Sequence, residues 1–505
     1  MVKPEKIDEA KKIFQGTGVH VVLDAQRDLG AVIGIESAVN AKLRAKVSKW
    51  ASQVKRLAEI AATQPHAAHA AFTFGLRHRW TFLQRTTPPL QNLLQPLEDA
   101  IRDRLIPALF GHQENTAISD LDRALYALPS RLGGLNLDNP MEQAKHKFRD
   151  SVELSKCLKD LIENKGAEDD PLSNPAFCSQ TDDEDQGDSE ETEAKESKTV
   201  WEKQREARKA IKSRRRLLEK AEAERVLQQL PQQEQRAVEL AQRKGASAIF
   251  TTLPLEKYGF TFASKRDFRD ILCMRYRKHI PGLPARCTCL QPYSLDHSQI
   301  CPKGGFIALR HDEPKNLFGR LARRVFRDVE VEPELEQLSG EVLDKKSANR
   351  QDEARSDVRV RNFWGNRKDA FFEFRVFYPF ASSHASKKTA EAMFLSVEKA
   401  RKREYEERIN VVDNGSFSPM ILASTGGIGD QMSMALKVLA ERLAGLDDEE
   451  YSEVMGMLRS RFAFAIARSA LVCLRGSRSL WNHTDKVREH DYCSSRLLMA
   501  ETRRF

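Results

Sequence analysis

The chain has little of what usually assigns a protein to a large class at once. Its first residues, MVKPEKIDEAKK, hold no apolar run, so no secretory signal is expected. No stretch reaches 18 uncharged apolar residues. The most apolar one, RFAFAIARSALVCLRG, is cut by Arg468, so no membrane span is expected. Cysteine is scarce, with eight in 505 residues. Cys157, Cys178, Cys273, Cys473 and Cys493 are scattered, which argues against a disulfide scaffold and reads as a reduced, intracellular set.

Charge is plentiful but unevenly placed. The formal net charge is +9. Residues 165–200 hold twelve Asp/Glu and three Lys, a net −9, so the remainder carries +9 − (−9) = +18. A remainder that basic suggests a polyanion partner, most simply DNA or RNA. Residues 165–200 have almost no large apolar side chains, and too little apolar surface to offset ordering, so they are expected to be a disordered linker.

Chemistry concentrates between Cys287 and Lys402. Cys287, Cys289, His297 and Cys301 follow the spacing C-x-C-x7-H-x3-C. Three thiolates and an imidazole suit a closed, tetrahedral structural zinc site. A helix is expected through residues 317–326, started by Asp312 as N-cap with Pro314 in the first turn. Residues 329–335, SDVRV and FFEFRVF read as strands, the last with Phe372, Phe374 and Val376 on one face and Glu373 and Arg375 on the other. A helix from about residue 388 to 409, a strand SFSPMILAS and a further helix complete the order. Asp357 and Glu373 then sit on like-facing positions of two strands. Adjacent strands lie about 4.8 Å apart, so the two carboxylates can share one Mg²⁺.

An Asp on one strand, followed by Glu-x-Arg on the next, resembles the PD-(D/E)xK restriction-like nucleases. With the preceding CCHC knuckle, the region resembles the endonuclease part of non-LTR retrotransposon proteins. The resemblance implies a metal-dependent DNA endonuclease with Mg²⁺ on Asp357 and Glu373 and structural zinc in the knuckle. Ser356 stands where the family usually has Pro, and Arg375 where many members have Lys. A guanidinium stays protonated, so Arg375 can clamp phosphate but cannot act as a base. The family implies a helix lysine ahead of a tyrosine. Lys399 and Lys402 precede Tyr405, and Lys402 shares a face with it. Glu313 is a candidate third acid.

The N-terminal part reads as helical from about residue 41 to 165. It is preceded by a short amphipathic helix, IDEAKKIF, and by the strands GVHVVLD and LGAVIG. Long helices are expected at 41–61, 66–86 and 90–110. RDLGAVIG and LPSRLGGLNLDNP resemble the end of the palm and the thumb of a retroelement reverse transcriptase. A palm needs adjacent aspartates on an apolar strand, and none precedes residue 160. No reverse transcriptase activity is therefore expected. An ordinary helical bundle that binds nothing is the plain alternative.

The expected layout is multidomain. A palm remnant (1–40) leads into an all-α thumb-like domain (41–164), followed by the acidic linker (165–200), a charged long helix (201–245) and a helical connector (246–283). A zinc knuckle (284–306), an α/β restriction-endonuclease-like core (307–445) and a helical cover and tail (446–505) complete it. The connector helix interleaves Arg275, Arg277 and Lys278 with Phe268 and Tyr276. Such a face can touch phosphates and stack on bases, or its aromatics can point into the core. Arg310 is a further candidate nucleic-acid contact, and Lys399 could serve there too. KSRRR at 212–216 is a candidate nuclear signal. The expected function is target-site nicking by a truncated retrotransposon-derived endonuclease. The alternative is an inactive, zinc-containing nucleic-acid-binding remnant.

Overall fold

The computed structural model describes residues 4–19, 21, 24–28, 30–88, 91–112, 116–163, 200–336, 355–365, 367–386 and 389–476. Positions 165–199 of the expected linker and the tail from residue 477 lie outside the described residues. Most of what is described is helical, with a small mixed sheet. The chain divides into two compact units. One comprises Met1–Val47, His78–Pro96 and Asn139–Ala221; the other comprises Ser48–Arg77, Leu97–Asp138 and Glu222–Phe505.

In the first unit, helix α1 (Ile7–Ile13) precedes a hairpin of β1 (Ala25–Asp28) and β2 (Ala31–Gly34). The expected strand GVHVVLD lies partly outside the described residues. Asp28 pairs with Ala31 around a turn at Gly30, whose φ of +92° suits glycine, so the residues flanking that turn become the paired ones. Helix α2 (Glu36–Ala61) follows. The helix expected over 66–86 is two pieces, α3 (Pro65–Phe74) and α4 (Thr81–Thr86), because Gly75 ends the first. Similarly, α5 (Gln95–Ala100) and α6 (Ile106–Phe110) are joined by one π-turn just before Pro107, which cannot donate the regular bond. Next come α7 (Asp120–Ala127), α8 (Pro140–Glu163) and the long charged α9 (Val200–Gln229); of these helices, α3, α6 and α7 belong to the second unit. Within the first unit, Lys147 of α8 bonds Gln84 of α4 (3.0 Å), and Arg214 of α9 reaches Asp150 and Glu153 of α8 (2.8 Å each).

The second unit continues with α10 (Gln232–Ala241), α11 (Ala248–Thr251), α12 (Lys265–Tyr276), α13 (Leu295–Ile300) and α14 (Phe306–Val325). Helix α14 starts earlier than Asp312. Gly305, at φ +69°, precedes it, and Phe306 is buried in the first turn. Pro314 therefore lies inside the helix, a site that costs about 3 kcal/mol in a helix interior. Burial of Phe306, Leu317, Phe318 and Leu321 offsets that cost.

The sheet runs β3 (Val329–Val331), β4 (Val358–Arg361), β5 (Asp369–Phe377) and β6 (Ser416–Ala423), in that spatial order. The first two pairings are antiparallel and the last is parallel. Parallel pairing needs a crossover, and α15 (Ala390–Val411) supplies it between β5 and β6. Pro419 is tolerated because β6 is an edge strand. On one face Val358, Val360, Phe372, Phe374, Met420 and Leu422 pack against α14, α16 (Asp430–Asp447) and α17 (Tyr451–Arg475). On the other, Phe371, Phe377, Phe417 and Ile421 pack against α15. The alternation read in FFEFRVF holds, but helices cover both faces, so Glu373 is buried as well.

Candidate functional site

The four ligand residues of the knuckle converge. The chain from Ala285 to Tyr293 folds back on itself, with Tyr293 N–H bonding Ala285 O and Cys287 N–H bonding Gln291 O. That turn carries Cys287 and Cys289. Ser294 caps α13 by accepting the His297 N–H, which fixes His297 in the first turn, and Cys301 closes the helix. The four ligand atoms all lie within 4.8 Å of one another. Cys287 and Cys301 Sγ are 3.8 Å apart, Cys301 and Cys289 Sγ 3.9 Å, and Cys289 Sγ is 3.3 Å from His297 Nε2. Tetrahedral zinc–thiolate bonds of about 2.3 Å put two sulfurs about 3.8 Å apart. The cluster can therefore hold a metal ion, and its spacing is compatible with zinc. Burial opposes ionisation of Cys287, but hydrogen bonds from the Cys289 backbone and the neighbouring ligands bring it down to about 6.

The second constellation lies where β4 joins β5. Val358 pairs with Phe372, so Asp357, one residue earlier, stands opposite Glu373 on the same face. The regular pairing ends there, and Asp357 Oδ2 accepts the Phe374 N–H at 2.6 Å. Both acids are buried, at 5% and 9% exposure. Burial, and then the Asp357 charge, hold Glu373 well above the usual carboxylate range.

Neighbouring cations complete the picture. His311 Nε2, on α14, lies 3.0 Å from Phe374 O and 3.2 Å from Asp357 Oδ2. Its Nδ1 lies 3.2 Å from Asp312 Oδ1, which also accepts from buried Lys315 (2.9 Å). Lys315 bonds Glu332 as well (2.6 Å). Burial opposes charge on His311, but Asp357 and Asp312 hold its proton and push it up to about 10. Sequence reading missed His311, Asp312 and Lys315. Their i, i+1, i+4 spacing on one helix is a faint signal, and nothing in it names Asp357 as the partner. Glu313, the expected acid, is half-buried on α14 beside Asp312.

Arg375 is exposed on β5, on the Glu373 face. On α15, Arg401 is the cation whose charge acts on Glu373, and it pairs with Glu404 at 2.6 Å. Lys402 Nζ lies 3.4 Å from Glu398, and Lys399 is exposed. Tyr405 packs with Phe371, Ile409 and Phe417; burial, then Glu373, raises its hydroxyl pKa.

Burial corrects two of the expected nucleic-acid contacts, Arg275 on the connector and Arg310 on α14. Arg275 is 8% exposed, sits over the Phe250 ring and bonds Ser247 Oγ at 2.8 Å. Arg310 is 3% exposed and donates to Gln299. Neither can reach a phosphate. Arg277 is spent on Asp296, and Lys278 on Asp122 and Glu234. Phe268 and Tyr276 are in the core, so the second of the two readings of this helix holds. No helix among the described residues is long and apolar enough to cross a membrane. No protein-family model matches this chain, and no curated protein matches it.

Proposed function

We propose that the protein is a metal-dependent DNA endonuclease of the PD-(D/E)xK restriction-like type, of non-LTR retrotransposon origin, with structural zinc in its Cys3His knuckle. One observation carries the reading. Asp357 and Glu373 are buried opposite each other at the end of a strand pairing, within a helix–three strands–helix–strand order. Mg²⁺ bound by the two carboxylates would polarise the scissile phosphate and acidify a bound water. The chain does the rest. The Phe374 N–H and His311 hold Asp357 Oδ2 and so fix the carboxylate that would bind the cation. Arg375, exposed on the same strand, clamps a non-bridging phosphate oxygen. Arg401 and Lys402 on α15 add positive charge beside the scissile group. The exposed Lys212, Arg215 and Arg216 support a nuclear location.

The test is nicking of supercoiled plasmid in Mg²⁺. Wild-type protein should nick, and Asp357→Ala should abolish nicking while DNA affinity and zinc content stay unchanged. Equal nicking by both proteins, or none by either, leaves the nucleic-acid-binding remnant as the reading.

A further inference from the structure

The Cys3His knuckle is not a free finger. Its helix α13 has two working faces. His297 and Cys301, four residues apart, face the metal cluster. Asp296 and Gln299, three apart, face the nuclease half instead. Asp296 is gripped by Arg277 through two bonds of 2.6 and 2.9 Å and by the Tyr378 hydroxyl. Tyr378 is the residue just after β5, the strand that carries Glu373. Gln299, 0% exposed, accepts from Arg310 at both its backbone and side-chain oxygens, each at 3.0 Å. Arg310 immediately precedes His311, the residue that contacts Asp357 and Phe374 O. Gln299 also donates to Ala470 O of α17 (3.0 Å), and Tyr293 to Leu474 O (2.7 Å). One short helix therefore touches α14, whose His311 meets Asp357, and the residue that follows β5, which carries Glu373.

We propose that Asp296 and Gln299 are positioning residues: the metal-held knuckle acts as a brace that fixes α14 against β5 and thereby sets the geometry of Asp357 and Glu373. The proposal rests on the endonuclease reading for its chemical consequence, though not for its mechanical one. A helix of six residues has little stability of its own in water. Ligation of His297 and Cys301 keeps it formed, so the two contacts persist only while the metal is held. The knuckle then acts through protein contacts, and its metal content governs a site that shares no ligand with it.

The experiment uses full-length protein. Asp296→Ala breaks the contacts to Arg277 and Tyr378 and spares all four ligands and the Gln299–Arg310 contact; Cys289→Ser removes a ligand. Three quantities are read: zinc per chain, hydrogen exchange in residues 307–315 and 371–380, and the split between kcat and the half-saturating Mg²⁺ concentration for nicking. Asp296→Ala should keep its zinc, exchange faster in residues 371–380, and raise the half-saturating Mg²⁺ concentration. Asp296→Glu should recover part of that shift. Cys289→Ser should lose zinc and loosen both segments, 307–315 and 371–380. Faster exchange confined to 285–301 in either variant overturns the brace. So does a lower kcat with unchanged Mg²⁺ dependence, which is the mark of a merely structural role. If wild-type protein nicks nothing, the endonuclease reading fails by itself and the exchange data alone decide the brace. If Cys289→Ser does not fold, Asp296→Ala decides it.

Discussion

Glu373→Gln is the most informative single change. Glu373 is 9% exposed and faces Asp357, so burial and a like charge both disfavour its ionised form. Its folded pKa is raised above the ordinary 4.5, so the fold prefers the protonated acid. The sign follows by linkage. Below 4.5 the folded and unfolded chains both bind the proton, and the contribution is complete. Above 4.5 the unfolded chain releases it first, and stability falls by about 1.4 kcal/mol per pH unit until the raised pKa is passed. Glutamine has the shape of the protonated acid and no such slope. In metal-free buffer, Glu373→Gln should therefore match wild type near pH 4.5 and become progressively more stable than it as pH rises. Each kcal/mol corresponds to roughly 2 °C in Tm for a large domain.

Calorimetry from pH 4.5 to 8.5, with and without Mg²⁺, measures this directly. A divalent cation binding the ionised pair should restore wild-type stability by about 2.7 kcal/mol at one hundred times its Kd, and should leave Glu373→Gln unmoved. Asp357→Asn removes the second cause of the shift, so the pH slope should shrink there too. Parallel pH profiles for wild type and Glu373→Gln would refute the reasoning, because the carboxyl would then be ionising as it does in water.

Other outcomes are equally definite. Purified protein should carry one zinc per chain by elemental analysis, and Cys301→Ser should lose it. His66 and His69 are buried, and burial drops them to about 3 and about 4. Both folded values lie below the ordinary 6.5, so the stability these histidines contribute is whole above 6.5 and is lost as pH falls toward their folded values. His66→Phe, which keeps the ring stack on Phe268, should flatten part of that acid loss in a Tm-against-pH series. DNA binding should weaken with salt at a log–log slope of about −0.9 per phosphate neutralised, and deleting residues 165–199 should tighten it. A salt-independent affinity would remove the electrostatic case.

The parts of this molecule legible in its sequence are those set by short-range pattern. The period-two run through FFEFRVF puts Glu373 on one face, and the spacing of Cys287, Cys289, His297 and Cys301 lets one loop and one helix close a cluster. What escaped depends on partners far along the chain. Arg275 looks like a surface cation until Ser247 and the Ser130 carbonyl, 145 residues away, surround it. Arg401, Lys399 and Lys402 look alike in sequence. Which of them acts on Glu373 is set by how α15 rolls onto β5 and β6, and its apolar positions are too few to fix that roll. Pro314 marked a helix start falsely, because the deeper signal was the Gly304–Gly305 turn and the buried Phe306 behind it.

The two acids also differ in a way that bears on function. Asp357 has a sufficient structural account. The ladder ends beside it, Phe374 needs an acceptor for its N–H, and His311 offers a second donor. A buried carboxylate so supplied is an ordinary piece of strand-end chemistry. Glu373 has no such account. It is nearly as buried, it faces a like charge, and among the described residues no hydrogen bond or ion pair reaches it. An apolar residue there would stabilise the fold by removing a carboxyl that burial penalises. A methionine or leucine at position 373 should accordingly raise Tm in metal-free buffer. On the endonuclease reading proposed above, the native side chain is explained by what it would hold when ionised, a divalent cation shared with Asp357.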